Sequence, residues 1–317
     1  MALLVTKDDI DFAAYRHETE ATRKVRAAAD YLDDMIDDIG KGKADPGEDL
    51  PWGKTAGLFK FRPGDVTLWA GPNGHGKSLV TGMVALDLVC NLHRVCLASF
   101  EMRPRKTLER MARQWMGFNP VLMQGSNNWM GELAENYRQL KEQSADRLWL
   151  YDHQGTIDAD QMISVARYCA KVLNVKHLFI DSLMKCVKGE DDYNGQKDFV
   201  NELCSIANDH EIHVHLVHHI RKLENESKQP DKMDIKGSGA IADQVANVMM
   251  VWRNKAENKK PGDPDARVIC CKQRNGEWEG AVNLWFDPGS QQYLPEEGAS
   301  PIIWAGRCAT WPAACAG

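Results

Sequence analysis

The feature that most limits what this chain can fold into is Gly71-Pro72-Asn73-Gly74-His75-Gly76-Lys77-Ser78, which satisfies the G-x-x-x-x-G-K-S/T pattern. Residues 66–70 before it read as a buried strand and residues 79–92 after it as a helix. That context turns the octet into a phosphate-binding loop. Glycines let the backbone curl until successive N–H groups point inward at the positive end of a helix dipole. Lys77 would reach the β- and γ-phosphates and Ser78 would hold Mg²⁺. A strand, a tight loop and a helix in that order commit the chain to an α/β fold that binds a nucleoside triphosphate.

With 317 residues, 43% hydrophobic and 26% charged, the chain can bury one core of roughly 200–250 residues plus appendages. No run of about 18 apolar residues exists, so no spanning helix is expected and no membrane partner. The N-terminus is too short and acidic for a signal peptide, and the expected location is the cytoplasm. Nine cysteines contain no C-x-x-C pair. Several, including Cys90, Cys96, Cys169 and Cys204, lie in apolar runs, as buried thiols of a reducing compartment would. The net charge of −6 falls wholly within residues 1–50, which carry 7 Lys/Arg against 13 Asp/Glu. An acidic total argues against nonspecific coating of nucleic acid and leaves room for a local basic track.

Residues 11–39 read as one amphipathic helix with Tyr15, Val25, Tyr31, Leu32, Met35 and Ile36 near a 3.6-residue period. A polar linker occupies 40–51. Strands are expected at 66–70, 94–99, 148–152, 177–181, 213–218, 247–253, 267–272 and 281–286. Continuous apolar runs separated by helices predict a mostly parallel sheet covered on both faces, with antiparallel strands added at the C-terminal edge. The expected division is 1–52 as helix and linker, 53–296 as the catalytic unit and 297–317 as an unstructured tail. No internal repeat is visible, and 119–146 matches no pattern.

Four further features fall at or after strand ends, where open α/β sheets bind ligands. Glu101, after the second strand, could polarise an attacking water or be a solvated surface acid. Asp181 ends an apolar strand and matches the carboxylate that supports Mg²⁺ beside Ser78. His219, ending the fifth strand, could contact the γ-phosphate. The density of His210, His213, His215, His218 and His219 raises metal binding, but the spacing fits strand alternation better. Residues 221–236 hold five basic and four acidic residues before a glycine turn into a helix. They are either a surface loop or one that grips nucleic-acid phosphates. Lys272 and Arg274, two apart on an extended chain, project to one side. They are either a solvated hairpin or cations for a neighbouring subunit's site.

Taken in order, these features resemble the motor domain of DnaB-type hexameric replicative helicases, a RecA-like branch of the P-loop NTPases. The phage primase–helicases and Twinkle look like its nearer relatives. The resemblance spans about 53–294. It is carried by Phe61-Arg62-Pro63-Gly64-Asp65, the phosphate loop, Ser99-Phe100-Glu101-Met102, Ile180-Asp181 and His219-Ile220-Arg221. It continues through Ile235-Lys236-Gly237-Ser238-Gly239-Ala240-Ile241 and Lys272-Gln273-Arg274-Asn275-Gly276.

The resemblance implies a RecA-like fold and a phage-encoded helicase. It would use ATP or a dNTP with Mg²⁺, move on single-stranded DNA as a ring, and work beside a separate primase. It makes Glu101 the catalytic base, Asp181 the second acidic motif and His219 the γ-phosphate sensor. Lys272 and Arg274 would act in trans. The phosphate loop and Leu79 bind nucleotide, with Arg253 beside the base. Lys232, Lys236, Gly237 and Ser238 would face DNA, and the helix at 11–39 would dock on a neighbour. The 50 or so leading residues are too few for a primase or primase-docking domain. Rival readings are a RecA-like recombinase or regulatory ATPase, and a nucleotide-binding partner of another enzyme.

Overall fold

The structure is a computed structural model that describes residues 3–5, 28–41, 46–125, 128–189, 191–220, 239–256 and 259–305. Its centre is a ten-stranded sheet. In chain order the strands are β1 (Leu3–Val5), β4 (Val66–Gly71), β5 (Val95–Ser99), β6 (Leu148–Tyr151), β7 (His177–Asp181) and β8 (His213–His219). They continue with β9 (Asn247–Arg253), β10 (Ala266–Gln273), β11 (Gly280–Asp287) and β12 (Gln292–Leu294). A separate antiparallel pair is made by β2 (Glu48–Asp49) and β3 (Lys60–Phe61). The order across the large sheet is β1-β6-β5-β7-β8-β4-β9-β10-β11-β12. Pairing is parallel from β1 to β9 and antiparallel from there to β12. The expected α/β architecture, with its antiparallel C-terminal edge, is the one observed.

Strand alternation divides the core between two faces. Leu68 and Ala70 of β4, Cys96 and Ala98 of β5, and Leu178 and Ile180 of β7 point to one face. That face is covered by α5 (Ala159–Lys171), α6 (Tyr193–His210) and α7 (Gly239–Gln244). Trp69, Leu97, Phe179 and Val217 point to the other, under α2 (Lys77–Cys90), α3 (Pro104–Met116) and α4 (Trp129–Ser144). Each large apolar side chain removed from water here stabilises the fold by about 1.5–3 kcal/mol. The covering helices carry matching stripes. In α5 the buried residues Met162, Val165, Ala166 and Cys169 recur at helical spacing, and Asp158 caps the first turn by accepting from Asp160 N–H.

Three stretches differ from the sequence expectation. Residues 46–52, read as linker, carry β2 and the buried side chains Leu50 and Trp52. The unassigned 119–146 contains a 3₁₀ turn at Pro120–Met123 and the helix α4. Residues 301–305 form no helix or strand, yet Trp304 is buried and its indole N–H donates to Asp87 at 3.2 Å. Of the amphipathic 11–39 segment, 28–39 falls within α1 (Ala28–Gly40), and 11–27 lies outside the described residues. Cys96, Cys169, Cys186, Cys204, Cys270 and Cys271 are free thiols. Cys90 departs from that expectation, being disulfide-bonded.

Candidate functional site

The C-terminal tips of β4, β8, β7 and β5 lie side by side, with Gly71 opposite His219, Val217 opposite Asp181, and Asp181 opposite Ser99. Backbone bonds lock the tips together. Ile220 N–H donates to Gly71 O at 3.3 Å, and Phe100 N–H to Asp181 O at 3.0 Å. Phe100 is buried, so the turn carrying the adjacent Glu101 is anchored while Glu101 itself is exposed.

The phosphate loop needs its glycines for two separate reasons. Gly76 has φ +87°, and a Cβ there would lie 2.1 Å from the Tyr293 hydroxyl oxygen. At Gly71 a Cβ would meet Val251 O at 2.3 Å, so the two strands could not pair this closely with any other residue. His75 is buried and accepts the Arg253 backbone N–H at its Nδ1, 3.1 Å away, tying the loop to the tip of β9. The Arg253 guanidinium lies over the Phe286 ring. Asn73 and Gly74 are exposed at the loop's apex, and Leu79 is half-buried in the first turn of α2.

Lys77 is buried and donates to the carbonyls of Gly71 and Pro72 at 2.8 and 2.9 Å. Burial pulls its pKa down to about 8, opposed by the carboxylates of Asp181 and Glu101. Ser78 Oγ donates to Asp181 Oδ2 at 2.6 Å. Burial raises the Asp181 carboxyl above its ordinary value. The bond from Ser78 opposes that rise, while Glu101 adds to it. A hydroxyl and a carboxylate at this separation are hard oxygen donors suited to Mg²⁺ beside a phosphate. Next to them, His219 Nε2 lies 3.8 Å from Glu101 Oε1. Burial and the charge of Lys77 push His219 down to about 4, so the ring is neutral at pH 7 and the contact is not an ion pair. The arrangement can bind phosphate, place a divalent cation and hold a carboxylate where it could orient water.

One residue the sequence reading passed over belongs here. Arg110, on α3, lines a cavity of about 40 Å³ together with Ser78, Ser99, Met102 and Asp181. Burial lowers its pKa and Asp181 raises it. The available signal was its place just before the buried Met111 on a helix that follows Glu101.

Lys272 and Arg274 are not part of this cluster. Lys272 pairs with Val248 and Gln273 with Asn247, which pairs with Thr67 at the start of β4. Gly71 is at the other end of β4, about 13 Å along the strand. A bulge between Cys270 and Lys272 precedes them. Both side chains project to one side and reach the end of α7. Lys272 Nζ donates to the carbonyls of Ala242, Asp243 and Val245, and Arg274 to that of Asp243. Lys232, Lys236, Gly237 and Ser238 lie outside the described residues. The helix expected after the glycine turn is α7.

The buried histidines are occupied by one another and by their neighbours. His213 bonds Thr67 Oγ1 and Arg62 O at 2.8 and 2.7 Å. His215 accepts from Trp69 at 3.3 Å, contacts His177 at 3.2 Å and stacks on Phe179. Among the described residues no cluster of metal-ligating side chains occurs, and no helix is long and apolar enough to cross a membrane.

The family model "DnaB-like helicase C terminal domain" matches residues 54–294. This chain belongs to that family. Membership makes the protein an ATP-dependent helicase of the replicative type. Among solved structures it is similar to the ATPase domain of G40P, with a TM-score of 0.73 and 17% identity, covering 86% of this chain and 99% of that one. It is also similar to a DnaB-like replicative helicase studied with its primase interactions, with a TM-score of 0.67 and 16% identity, covering 87% of this chain and 68% of that one. At these identities the likeness is one of fold, and it places the helicase's RecA-like sheet in the same arrangement.

Proposed function

We propose that this chain is the motor of a phage replicative DNA helicase that works in the host cytoplasm. It assembles as a ring and translocates on single-stranded DNA, with a separately encoded primase as its partner. The loop N–H groups and Lys77 would bind the phosphates of ATP or a dNTP, Lys77 exchanging its two loop carbonyls for phosphate oxygens. Ser78 and Asp181 would hold Mg²⁺, whose chemistry is to neutralise charge on the β- and γ-phosphates. Glu101 would orient water and accept its proton as the oxygen attacks the γ-phosphorus and ADP departs. His219, neutral and beside Glu101, is placed to bond either that carboxylate or the γ-phosphate, and so to signal hydrolysis into the 221–238 segment. Lys232, Lys236, Gly237 and Ser238 of that segment would contact DNA phosphates, and Arg253 would sit beside the base.

One observation carries the reading. The Ser78–Asp181 pair and the Glu101–His219 contact would form one half of a hydrolytic site, while Lys272 and Arg274 stand at the opposite end of β4. Within one chain those cations cannot serve their own nucleotide. In a ring they would reach a neighbour's nucleotide. The helix α1 supports assembly. It exposes Leu32, Met35, Ile36 and Ile39 and carries five Asp with no Lys or Arg. A groove with Leu108, Tyr137 and Leu140 in its lining, and with Arg103, Arg105 and Lys141 against Glu109 and Asp152, would receive it from another copy.

The test is ATPase activity with and without single-stranded DNA, followed by unwinding of a forked substrate. Stimulation together with strand separation is expected. Hydrolysis that ignores DNA, or filaments in place of rings, would move the protein to the recombinase or regulatory class.

A further inference from the structure

The segment Phe61-Arg62-Pro63-Gly64-Asp65 precedes β4, and the nucleotide site uses none of it. Asp65 is 7% exposed and stands at the foot of β4, the end remote from the phosphate loop. Its Oδ1 accepts from Asn275 Nδ2 at 3.1 Å, and its Oδ2 from Asn247 Nδ2 at 3.4 Å. Asn247 also donates to Thr67 Oγ1 at 3.2 Å, and Thr67 joins His213, whose other nitrogen meets Arg62 O. Asp65 therefore ends a continuous polar chain running through the base of the sheet, and the group it holds at the surface is the turn at 272–276. That turn is also fixed by Arg274 N–H, which donates to Ala246 O at 3.0 Å.

A buried carboxylate bonded only to neutral amides is costly to desolvate, and packing alone would be served by a neutral acceptor. Two guanidiniums attract its charge, that of Arg62 in the same segment more strongly and that of Arg274 on the turn less so. We propose that Asp65 is a positioning residue for Arg274. Through Asn275 and through its charge, it sets the direction in which Arg274 leaves the sheet. Losing Asp65 therefore damages hydrolysis at the neighbouring subunit's nucleotide and not at its own. This rests on the reading that Lys272 and Arg274 act in trans.

Asp65→Asn removes the charge and leaves one acceptor oxygen for two amide donors, so its NH2 faces the amide of Asn247 or of Asn275. The full-length variant should lose about tenfold or more in kcat while KM for ATP stays within about twofold. Asn275→Ala shortens a side chain on the exposed turn, removes one of the two donors to Asp65 and should give the same split. Asp65→Asn combined with Asn275→Asp restores a donor facing an acceptor and should regain most of kcat.

Mixed assemblies separate position from fold. Asp65→Asn subunits keep an intact phosphate loop, and Lys77→Ala subunits keep an intact turn. Mixing them should raise ATPase activity above the sum of the two variants measured alone. Arg274→Ala mixed with Lys77→Ala tests the trans reading by itself. If that mixture recovers but Asn275→Ala and Asp65→Asn keep wild-type kcat, or Asp65→Asn is not complemented, the role given to Asp65 is wrong and the trans reading stands. If the Arg274→Ala mixture fails, both fall together.

Discussion

Glu101 is exposed on a turn whose neighbour Phe100 is buried, which fixes the backbone and leaves the carboxylate free to meet solvent and substrate. Its neutral isostere retains the shape and loses the basicity. Glu101→Gln should therefore lower ATP turnover by about 10²–10⁴-fold. Nucleotide affinity should be unchanged, because the proposed phosphate contacts are Lys77 and the loop N–H groups. Steady-state ATPase rates and binding of a fluorescent nucleotide would separate the two effects. Weakened binding with proportionate turnover would mean that Glu101 serves the fold. That Lys77, Ser78 and Asp181 belong to one site was legible in sequence because loop and strand are each continuous stretches. Arg110 was not, since nothing in a helical Arg says which carboxylate lies across the cavity. The pairing of Glu101 with His219 was equally hidden, because it depends on β8 lying beside β4 and β7.

At the scale of elements, α1 presents four exposed apolar side chains that its own chain does not cover among the described residues. Leu32→Asp with Ile36→Asp should leave the folded chain's melting within about 0.5 kcal/mol, as expected for exposed sites. The same change should abolish assembly, read as mass by sedimentation or light scattering with nucleotide present. Persistence of the oligomer would mean that α1 is not its dock. Trp304 argues the reverse case, an element with no periodicity that is nonetheless buried. Removing its ring should cost about 3–5 kcal/mol in Trp304→Ala, measured by chemical denaturation. A tail residue with a near-zero effect would show that 301–305 is merely apposed. Sequence periodicity identifies helices and strands by their repeats. It is silent on a single side chain that fills a hole made by α2.

Across the whole molecule, a seam of buried histidines makes stability depend on pH. Burial pulls His213 and His218 down to about 4 and holds His177 and His215 well below their ordinary value. In the unfolded chain each takes up a proton below about pH 6.5. The fold keeps its full stability above that pH and loses it as pH falls toward 4. For His213 alone the loss over that window is about 3 kcal/mol. Asp65, Asp87 and Asp181, raised by burial, act in the opposite sense as they protonate near the carboxylate range. Urea midpoints measured between pH 7.5 and 5 should fall steadily below about 6.5, and a flat profile would contradict the seam. The histidines stood out in sequence as a cluster at 210–219. Only the fold showed that His213 and His215 turn inward onto Thr67, Trp69 and Phe179 while His219 reaches the site.

The sequence by itself determined the phosphate loop, the eight principal strands and the α/β class. These are written in neighbouring residues, as backbone freedom at glycine and as the period of apolar side chains. The tertiary structure decided what lies next to what: Ser78 against Asp181, Glu101 against His219, and Asp65 against the turn that carries Arg274. It also decided that Lys272 and Arg274 stand at the far end of β4 from the nucleotide loop of their own chain. Strand order and direction set those distances. They follow from how two helical layers bury both faces of one sheet, a property of the whole packing that no local stretch contains.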